Sequence, residues 1–353
     1  MNVLVLYNRV WHYRVPIFNL LNERVNLDVA FTDGEPSQFG KFKQRKLKKL
    51  QVGKFVFIKD NLTKLCSNYD AVVIIGQIAW LNYSLLPFSK NRSFKVIIWS
   101  IGVSASYTKR FDQIKRYDWL RNFFYRRADA LIFYSDYPIK KYLNKGFKRD
   151  KLFVANNTVA VTKHILNQNK QSKKSILFIG TLYKAKGIRE LIKAFHNALK
   201  TIKTERILEI IGDGPDFDYI KKYVDDNHLS GRIILHGAIF EESIKKEIFQ
   251  RSIAVISPYQ AGLGVLESFA YGVPFVTYNN SFTGGERFNI IDHYNGLLYD
   301  PSKMGLLQVF IEILSDKFDF TTMGNNAYKY YWENRTPEQM ANILYKAIES
   351  TLE

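Results

Sequence analysis

Short, nearly unbroken apolar runs recur through the first part of the chain: VLVLY (3–7), LDVAF (27–31), FVFI (55–58), AVVII (71–75), VIIWS (96–100), ALIFYS (130–135) and LFVAN (152–156). Apolar runs separated by helical segments predict parallel strands covered on both faces. A polar stretch from Asn156 to Lys174 reads as a linker. The pattern then restarts with ILFIG (176–180), ILEIIG (207–212), IILHG (233–237), AVISP (254–258), PFVTY (274–278) and GLLYD (296–300). Between the first two of these, Ile188, Leu191, Ile192, Phe195 and Leu199 share one helical face. The chain is therefore predicted to be α/β, with two Rossmann-like doubly wound domains, residues 1–165 and 166–336, and a last helix, 337–353, able to pack back on the first. Ligands of such sheets bind beyond the carboxyl ends of the strands, so the two domains are expected to face a central cleft.

A length of 353 residues suits two cores, and 46% hydrophobic with 24% charged residues is an ordinary globular composition that excludes a disordered or fibrous chain. The single cysteine, Cys66, excludes an internal disulfide framework, and the six histidines show no pair at metal-ligand spacing, so no metal site is expected. MNVLVLYNRV reads as a buried first strand rather than a signal segment, and residues 71–88 are interrupted by Gly76, Gln77, Asn82 and Ser84, too polar for a membrane span. A soluble, cytoplasmic protein is expected.

Charge changes this picture more than composition does. The formal net charge of +18 lies wholly in residues 1–165, where 29 Lys and Arg face 11 Asp and Glu; the remainder has 22 of each. One dense run is Lys41, Lys43, Arg45, Lys46, Lys48 and Lys49, and a second is Lys109, Arg110, Lys115, Arg116, Arg121, Arg126 and Arg127. Such a half suits an anionic membrane surface, an acidic polymer or nucleic acid, the plainer reading being a solvated basic face. Phe42, Tyr107, Trp119, Phe123, Phe124 and Tyr125 lie near these runs as candidates to enter an interface, core packing being the plainer role for most.

The candidate chemistry sits in the second half. In AVISPYQAGLGVLESFAYGVPFVTYNN (254–280) an apolar strand breaks into a turn with Gly262 and Gly264, and the turn opens a helix carrying Glu267. Free amides at such a helix start favour an anion, while Glu267 should accept hydrogen bonds from neutral hydroxyls. A nucleotide-sugar offers both groups, a diphosphate and a ribose diol. The plainer alternative is a tight joint with an acidic first turn. Other strand ends add Gly180, Thr181 and Lys186, whose ammonium can neutralise a diphosphate leaving group, then Gly212 in IIGDGP and Ala238 in HGAIF, where exposed backbone could read a base. Asp216-Phe217-Asp218 mimics a metal-binding D-x-D but is expected to start a helix.

Taken in order, these motifs resemble the retaining glycosyltransferases of the GT-B fold, the family-4-type group also described as glycosyl transferases group 1. The likeness is carried by FIGTLYKAKGIRELIKAF, EIIGDGP, HGAI, ISPYQAGLGVLESFAYGVPFVT and NGLLYD, and in the first half by YRVPIFNLL and ADALIFYSDYPIKKYLNKGFKRDKLFVANN. It implies a nucleoside-diphosphate-sugar donor held by the second domain, an acceptor held by the first, retention of anomeric configuration, and no metal or other cofactor. By the same resemblance Glu267 binds the donor ribose, Lys186 contacts the diphosphate, and Leu263, Gly264 and Val265 form the phosphate-binding turn. The chain departs from the group where Tyr259 replaces the first motif glutamate, with Gln260 as the nearest polar candidate, and where Thr181 replaces an arginine. YNRVWHYRVP replaces a glycine-rich loop, making Arg9, His12 and Arg14 candidates for the acceptor side, with Ser100 standing near a missing histidine.

The expected activity is hexosyl transfer to a saccharide, lipid-linked and destined for a cell-surface polysaccharide or glycolipid such as lipopolysaccharide, at the inner face of an anionic membrane held by the basic half. Open alternatives are a nucleotide-sugar epimerase of the same fold, a catalytically degenerate partner subunit, and a nucleic-acid-binding protein; against the last, the basic residues form no recognised binding motif.

Overall fold

A computed structural model describes residues 1–105, 111–113, 118–166 and 174–353. Tyr107, Lys109, Arg110, Lys115 and Arg116, and part of the polar stretch after Asn156, lie outside the described residues. The chain divides into two compact units, one made of Met1–Ala105, Asp112–Ala160 and Arg335–Glu353, the other centred on Val161–Asn334.

In the first unit the strands are β1 (Asn2–Tyr7), β2 (Asn26–Phe31), β3 (Lys43–Lys46), β4 (Lys49–Val52), β5 (Phe55–Ile58), β6 (Ala71–Ile75), β7 (Lys95–Ser100), β8 (Ala130–Phe133) and β9 (Leu152–Val154). Seven of them form one parallel sheet in the order β3-β2-β1-β6-β7-β8-β9, with Val5 opposite both Val29 and Val73. Val3 to Leu6 and Ala71 to Ile74 are at most 2% exposed, as strands covered on both faces require. Helices α1 (Val15–Asn22), α2 (Leu62–Cys66), α3 (Leu81–Leu85), α4 (Asp118–Tyr125) and α5 (Tyr137–Leu143) supply the cover.

Two elements differ from the sequence expectation. FVFI is not a sheet strand: as β5 it pairs antiparallel with β4 in a separate hairpin, burying Val56 and Ile58 and exposing Phe55 and Phe57. Four apolar residues in a row cannot reveal that only alternate ones are covered. KQRK, with no hydrophobic pattern, forms β3 at the sheet edge, where charged side chains are tolerated because one flank of the strand meets water. Of the aromatics beside the basic runs, Phe42, Phe124 and Tyr125 are buried, while Trp119 and Phe123 are exposed.

The second unit contains β10 (Ser175–Ile179), β11 (Ile207–Ile211), β12 (Ile233–Gly237), β13 (Ser252–Ile256), β14 (Phe275–Tyr278) and β15 (Gly296–Tyr299), all parallel in the order β12-β11-β10-β13-β14-β15. Helices α6 (Ile188–Thr201), α7 (Phe217–Asp226), α8 (Glu242–Gln250), α9 (Gly264–Ala270), α10 (Leu306–Leu314) and α11 (Phe320–Asn334) follow the strands, α6 packing with α10 and α9 with α11. Ile188, Leu191, Ile192 and Phe195 of α6 are fully buried, the face that the spacing marks. The last helix, α12 (Pro337–Leu352), starts at a capping box between Thr336 and Gln339 and packs Met340, Leu344 and Ile348 into the first unit against α1 and β8. No helix among the described residues is long and apolar enough to cross a membrane.

The strand order of the second unit reverses direction between β10 and β13, the place where a doubly wound sheet opens a crevice at its carboxyl edge. The loops there are packed backbone on backbone. Gly180 donates its amide to Ile211 and Gly212 donates to Gly237 (2.7 Å). Gly212 has φ 148°, and a Cβ there would land on the Gly180 carbonyl. Gly212→Ala is therefore expected to cost about 2–4 kcal/mol, whereas Gly262→Ala, whose Cβ would meet nothing within 4 Å, should stay within about 0.5 kcal/mol of wild type in urea unfolding.

Candidate functional site

At the switch point two loops meet. The loop after β10 runs through Gly180, Thr181 and Tyr183 into a single 3-10 turn, Lys184–Lys186, that leads into α6. The loop after β13 runs from Ser257 to Leu263 and leads into α9. Tyr183 donates its hydroxyl to Gln260 Oε1 (2.8 Å), and Ser257 Oγ donates to the Gln260 carbonyl (2.8 Å), so Gln260 is held by both loops. The Tyr259 ring fills the space over Gly187, where any side chain would collide with it. A Cβ at Gly264 would lie 3.8 Å from Ile179, which puts the start of α9 beside the end of β10.

Lys186 lies over Gly180, the absent side chain of the glycine making room for the ammonium. Its Nζ sits 5.6 Å from the Tyr183 ring centre and 6.0 Å from that of Phe178, and no carboxylate pairs with it among the described residues. Burial pushes its pKa down from the ordinary lysine value to about 8. A desolvated cation without a counter-charge is a place prepared for an anion.

The start of α9 is open in the same way. Val265 donates its amide back to Gly262 (3.0 Å) and Glu267 to Leu263 (3.0 Å), while the amides of Leu263 and Gly264 have no acceptor among the described residues. Of the turn that the resemblance marks, these two N–H groups are thus available to a ligand, and the Val265 amide is used internally. Glu267 is in the first turn of α9, with Oε1 paired to Lys245 Nζ of α8 at 2.6 Å and Oε2 without a partner among the described residues. The ion pair orients the carboxylate and leaves Oε2 as an acceptor for hydroxyl donors. Thr181 and Ala238 are exposed at the same edge of the sheet.

Lys245 and Tyr183 escape the sequence reading, and Tyr259 enters it only as the replacement for a glutamate. Lys245 is one lysine within SIKKEIF, and only the packing of α8 beside α9 distinguishes it. Asp216 and Asp218 begin α7; Asp216 is buried and accepts from Arg189 Nε (3.0 Å) and Nη2 (2.5 Å), a helix-start ion pair. No cluster of three His, Cys, Asp or Glu able to hold a metal occurs among the described residues.

The four acceptor-side candidates of the first unit are not equivalent. Arg9 and His12 are exposed after β1, Arg9 over the Trp11 ring (5.0 Å) and His12 edge-on to Tyr13. Arg14 is 2% exposed, enclosed by the rings of Trp99 (4.8 Å), Tyr134 (5.0 Å) and Tyr13 (5.1 Å), with Nη1 on the sulfur of Met340. Burial works against its charge, and the hydroxyls of Tyr7, Tyr134 and Tyr13 outweigh it, holding the guanidinium above its ordinary pKa. Ser100 is buried beneath Gly76 and accepts from the Gly102 amide (3.0 Å). The structure therefore leaves Arg9 and His12 in reach of solvent and places Arg14 and Ser100 inside the unit.

Residues 162–330 match the family model described as glycosyl transferases group 1. The poly(glycerol-phosphate) alpha-glucosyltransferase of Bacillus subtilis is 24% identical over 221 residues, 61% of this chain and 32% of that protein. The lipopolysaccharide 1,6-galactosyltransferase of Salmonella typhimurium is 25% identical over 192 residues, 50% of this chain and 52% of that protein. The chain thus spans from about a third to about half the length of these curated relatives. Among solved structures, Anabaena Alr3699/HepE in complex with UDP superposes with a TM-score of 0.72 at 14% identity, covering 99% of this chain and 100% of that one. This is a likeness of fold: two Rossmann-like domains of the GT-B type.

Removing the uncompensated charge should stabilise the free protein. The Lys186 value is lower folded than unfolded, so the penalty is present below about pH 8 and fades as pH rises toward the ordinary lysine value, where the unfolded chain also loses its proton. Lys186→Met is expected to raise the unfolding free energy at pH 7 by up to about 3 kcal/mol, with the gain gone near pH 10.5, measured by denaturant unfolding across pH.

Proposed function

We propose that this protein transfers a hexosyl group from a nucleoside-diphosphate-sugar to a saccharide acceptor, with retention of anomeric configuration and without a metal ion. The observation that carries the reading is the desolvated, unpaired Lys186 ammonium beside the open amides of Leu263 and Gly264 at the switch point of the second sheet. Cleaving a sugar from a diphosphate places negative charge on the departing phosphate, and fixed donors aimed at that charge lower the barrier more than a strong base would. Lys186 and the two amides take that role. Glu267, held by Lys245, binds the ribose diol, and Gln260, held by Tyr183, faces the donor sugar. The loop beyond β12 at Gly237 and Ala238 borders the base.

Arg9 and His12 serve the acceptor, which is a lipid-linked saccharide bound for a cell-surface polysaccharide or glycolipid. Relatives named for poly(glycerol-phosphate) and lipopolysaccharide support this class. The excess of positive charge in residues 1–165 supports attachment to the anionic inner face of the cytoplasmic membrane.

The testing experiment is thermal stabilisation by UDP, GDP, dTDP and CMP. One nucleoside diphosphate should raise the melting temperature of wild type, and Glu267→Ala and Lys186→Met should each weaken its binding by at least about tenfold. Silence toward all four nucleotides would overturn the donor site. Affinity should also fall by up to about tenfold for each pH unit above pH 8, because the free lysine must then take up a proton to bind, and this slope should vanish in Lys186→Met.

A further inference from the structure

The hairpin of β4 and β5 carries an apolar face that no described residue buries. Leu50 stands opposite Phe57 and Val52 opposite Phe55, so all four point to the same side. They are 49%, 37%, 56% and 47% exposed. The opposite side buries Val56 and Ile58, and the hairpin is anchored by Val56 donating to the Ala79 carbonyl (2.8 Å) and Ile58 to Asn82 Oδ1 (2.8 Å). The exposed face is thus carried on a fixed support rather than on a loose loop. Its strands are joined through Gly53 and Lys54, so the apolar pair nearest the tip is Val52 and Phe55.

Charge identifies the occupant. From Lys41 to Lys59 there are eight Lys and Arg and no Asp or Glu. Three of them are paired, Arg45 with Asp60, Lys46 with Glu35 and Lys49 with Asp33. Lys41, Lys43, Lys48, Lys54 and Lys59 have no carboxylate partner among the described residues. A second copy of this chain, docked through the same face on a two-fold axis, would bring like charges together. A nucleic acid would use the lysines but has no need of four apolar side chains presented together. An anionic bilayer uses both, headgroups for the ammonium groups and the acyl boundary for the apolar face.

We propose that this hairpin is the element that enters the membrane, a wedge of Leu50, Val52, Phe55 and Phe57 rimmed by Lys48, Lys54 and Lys59. The inference rests on the membrane attachment proposed above and narrows it to one element, with basic residues elsewhere in the first unit adding only surface attraction. Vesicle binding needs neither donor nor acceptor, so its loss would leave the donor-site reading to be decided by nucleotide binding alone.

The test is co-sedimentation of the full chain with vesicles of phosphatidylcholine alone or with about 30% phosphatidylserine. Wild type should bind the mixed vesicles at least about tenfold more tightly than the neutral ones, and less tightly as salt is raised. The double variant Val52→Ser with Phe55→Ser should lose at least about tenfold in affinity for the mixed vesicles with an unchanged melting temperature, since both side chains face water in the free protein. Lys54→Glu with Lys59→Glu should lose affinity as well and weaken the preference for the anionic lipid. Wild-type affinity in the serine variant, with loss only in the glutamate variant, would overturn the wedge in favour of a purely electrostatic surface. A dimer that the serine variant dissociates, or tighter binding to duplex DNA than to vesicles, would overturn the lipid assignment.

Discussion

Six strands running the same way bring every following loop out at one edge of the sheet, and the rest of the second unit depends on that constraint. The strand order reverses between β10 and β13, so the chain leaving one strand and the chain leaving the other turn to opposite faces and part over a crevice. Lys186 belongs to the first loop, Gln260 and the start of α9 to the second, and the Tyr183 to Gln260 hydrogen bond spans them. Residues about 80 positions apart in sequence thus become neighbours through topology alone. The backbone contact of Gly180 with Gly212 then fixes the height of the crevice floor, leaving room above it for one ammonium group and no further side chain.

That ammonium is held at a cost. A lysine whose pKa falls to about 8 by burial destabilises the folded protein, and a carboxylate within reach would have relieved the penalty. Elsewhere in the same unit the relief is given: Glu209, fully buried, is bound by Arg251 at 2.8 and 2.6 Å and by His236 at 2.7 Å, and these bonds outweigh burial to hold its carboxyl below the ordinary range. Asp216 is paired with Arg189, and Glu267 with Lys245. Lys186 is the contrast, and strain that packing leaves in place at one position is the mark of a group whose partner arrives from solution.

Much of the fold was legible because parallel strands buried on both faces leave a near-continuous apolar run, a signal that survives without any knowledge of neighbours. It failed where burial is one-sided or absent. FVFI carries the same composition as a buried strand, and only the pairing with β4 shows that Phe55 and Phe57 face water. KQRK has no apolar pattern, because an edge strand needs backbone partners on one side only. At the site, glycines and Lys186 were legible since they follow directly from strand ends. Lys245 was not, because its role comes from a neighbouring helix, and the enclosure of Arg14 among three aromatic rings was hidden because a basic residue in YNRVWHYRVP reads as exposed until the packing of Trp99, Tyr134 and the last helix is known.

The asymmetry of charge separates the two units by the kind of partner each can hold. The second unit balances its charges nearly one for one, so its attraction for an anion is local, confined to a few donors whose geometry is fixed, and falls away within a few ångströms. Residues 1–165, most of which belong to the first unit, carry the whole excess, and much of it stands on exposed side chains without acidic partners among the described residues, where it acts at the range of the screening length, about 10 Å at moderate salt. A diffuse field of that kind selects surfaces rather than molecules, since it adds over many weak contacts and tolerates lateral motion. Apolar side chains alone would select no particular membrane and would promote self-association, and lysines alone would hold the protein at a distance from the acyl boundary. In the wedge proposed for the short hairpin each would supply what the other lacks: the charge would choose the anionic surface, and the apolar face would fix depth and orientation there.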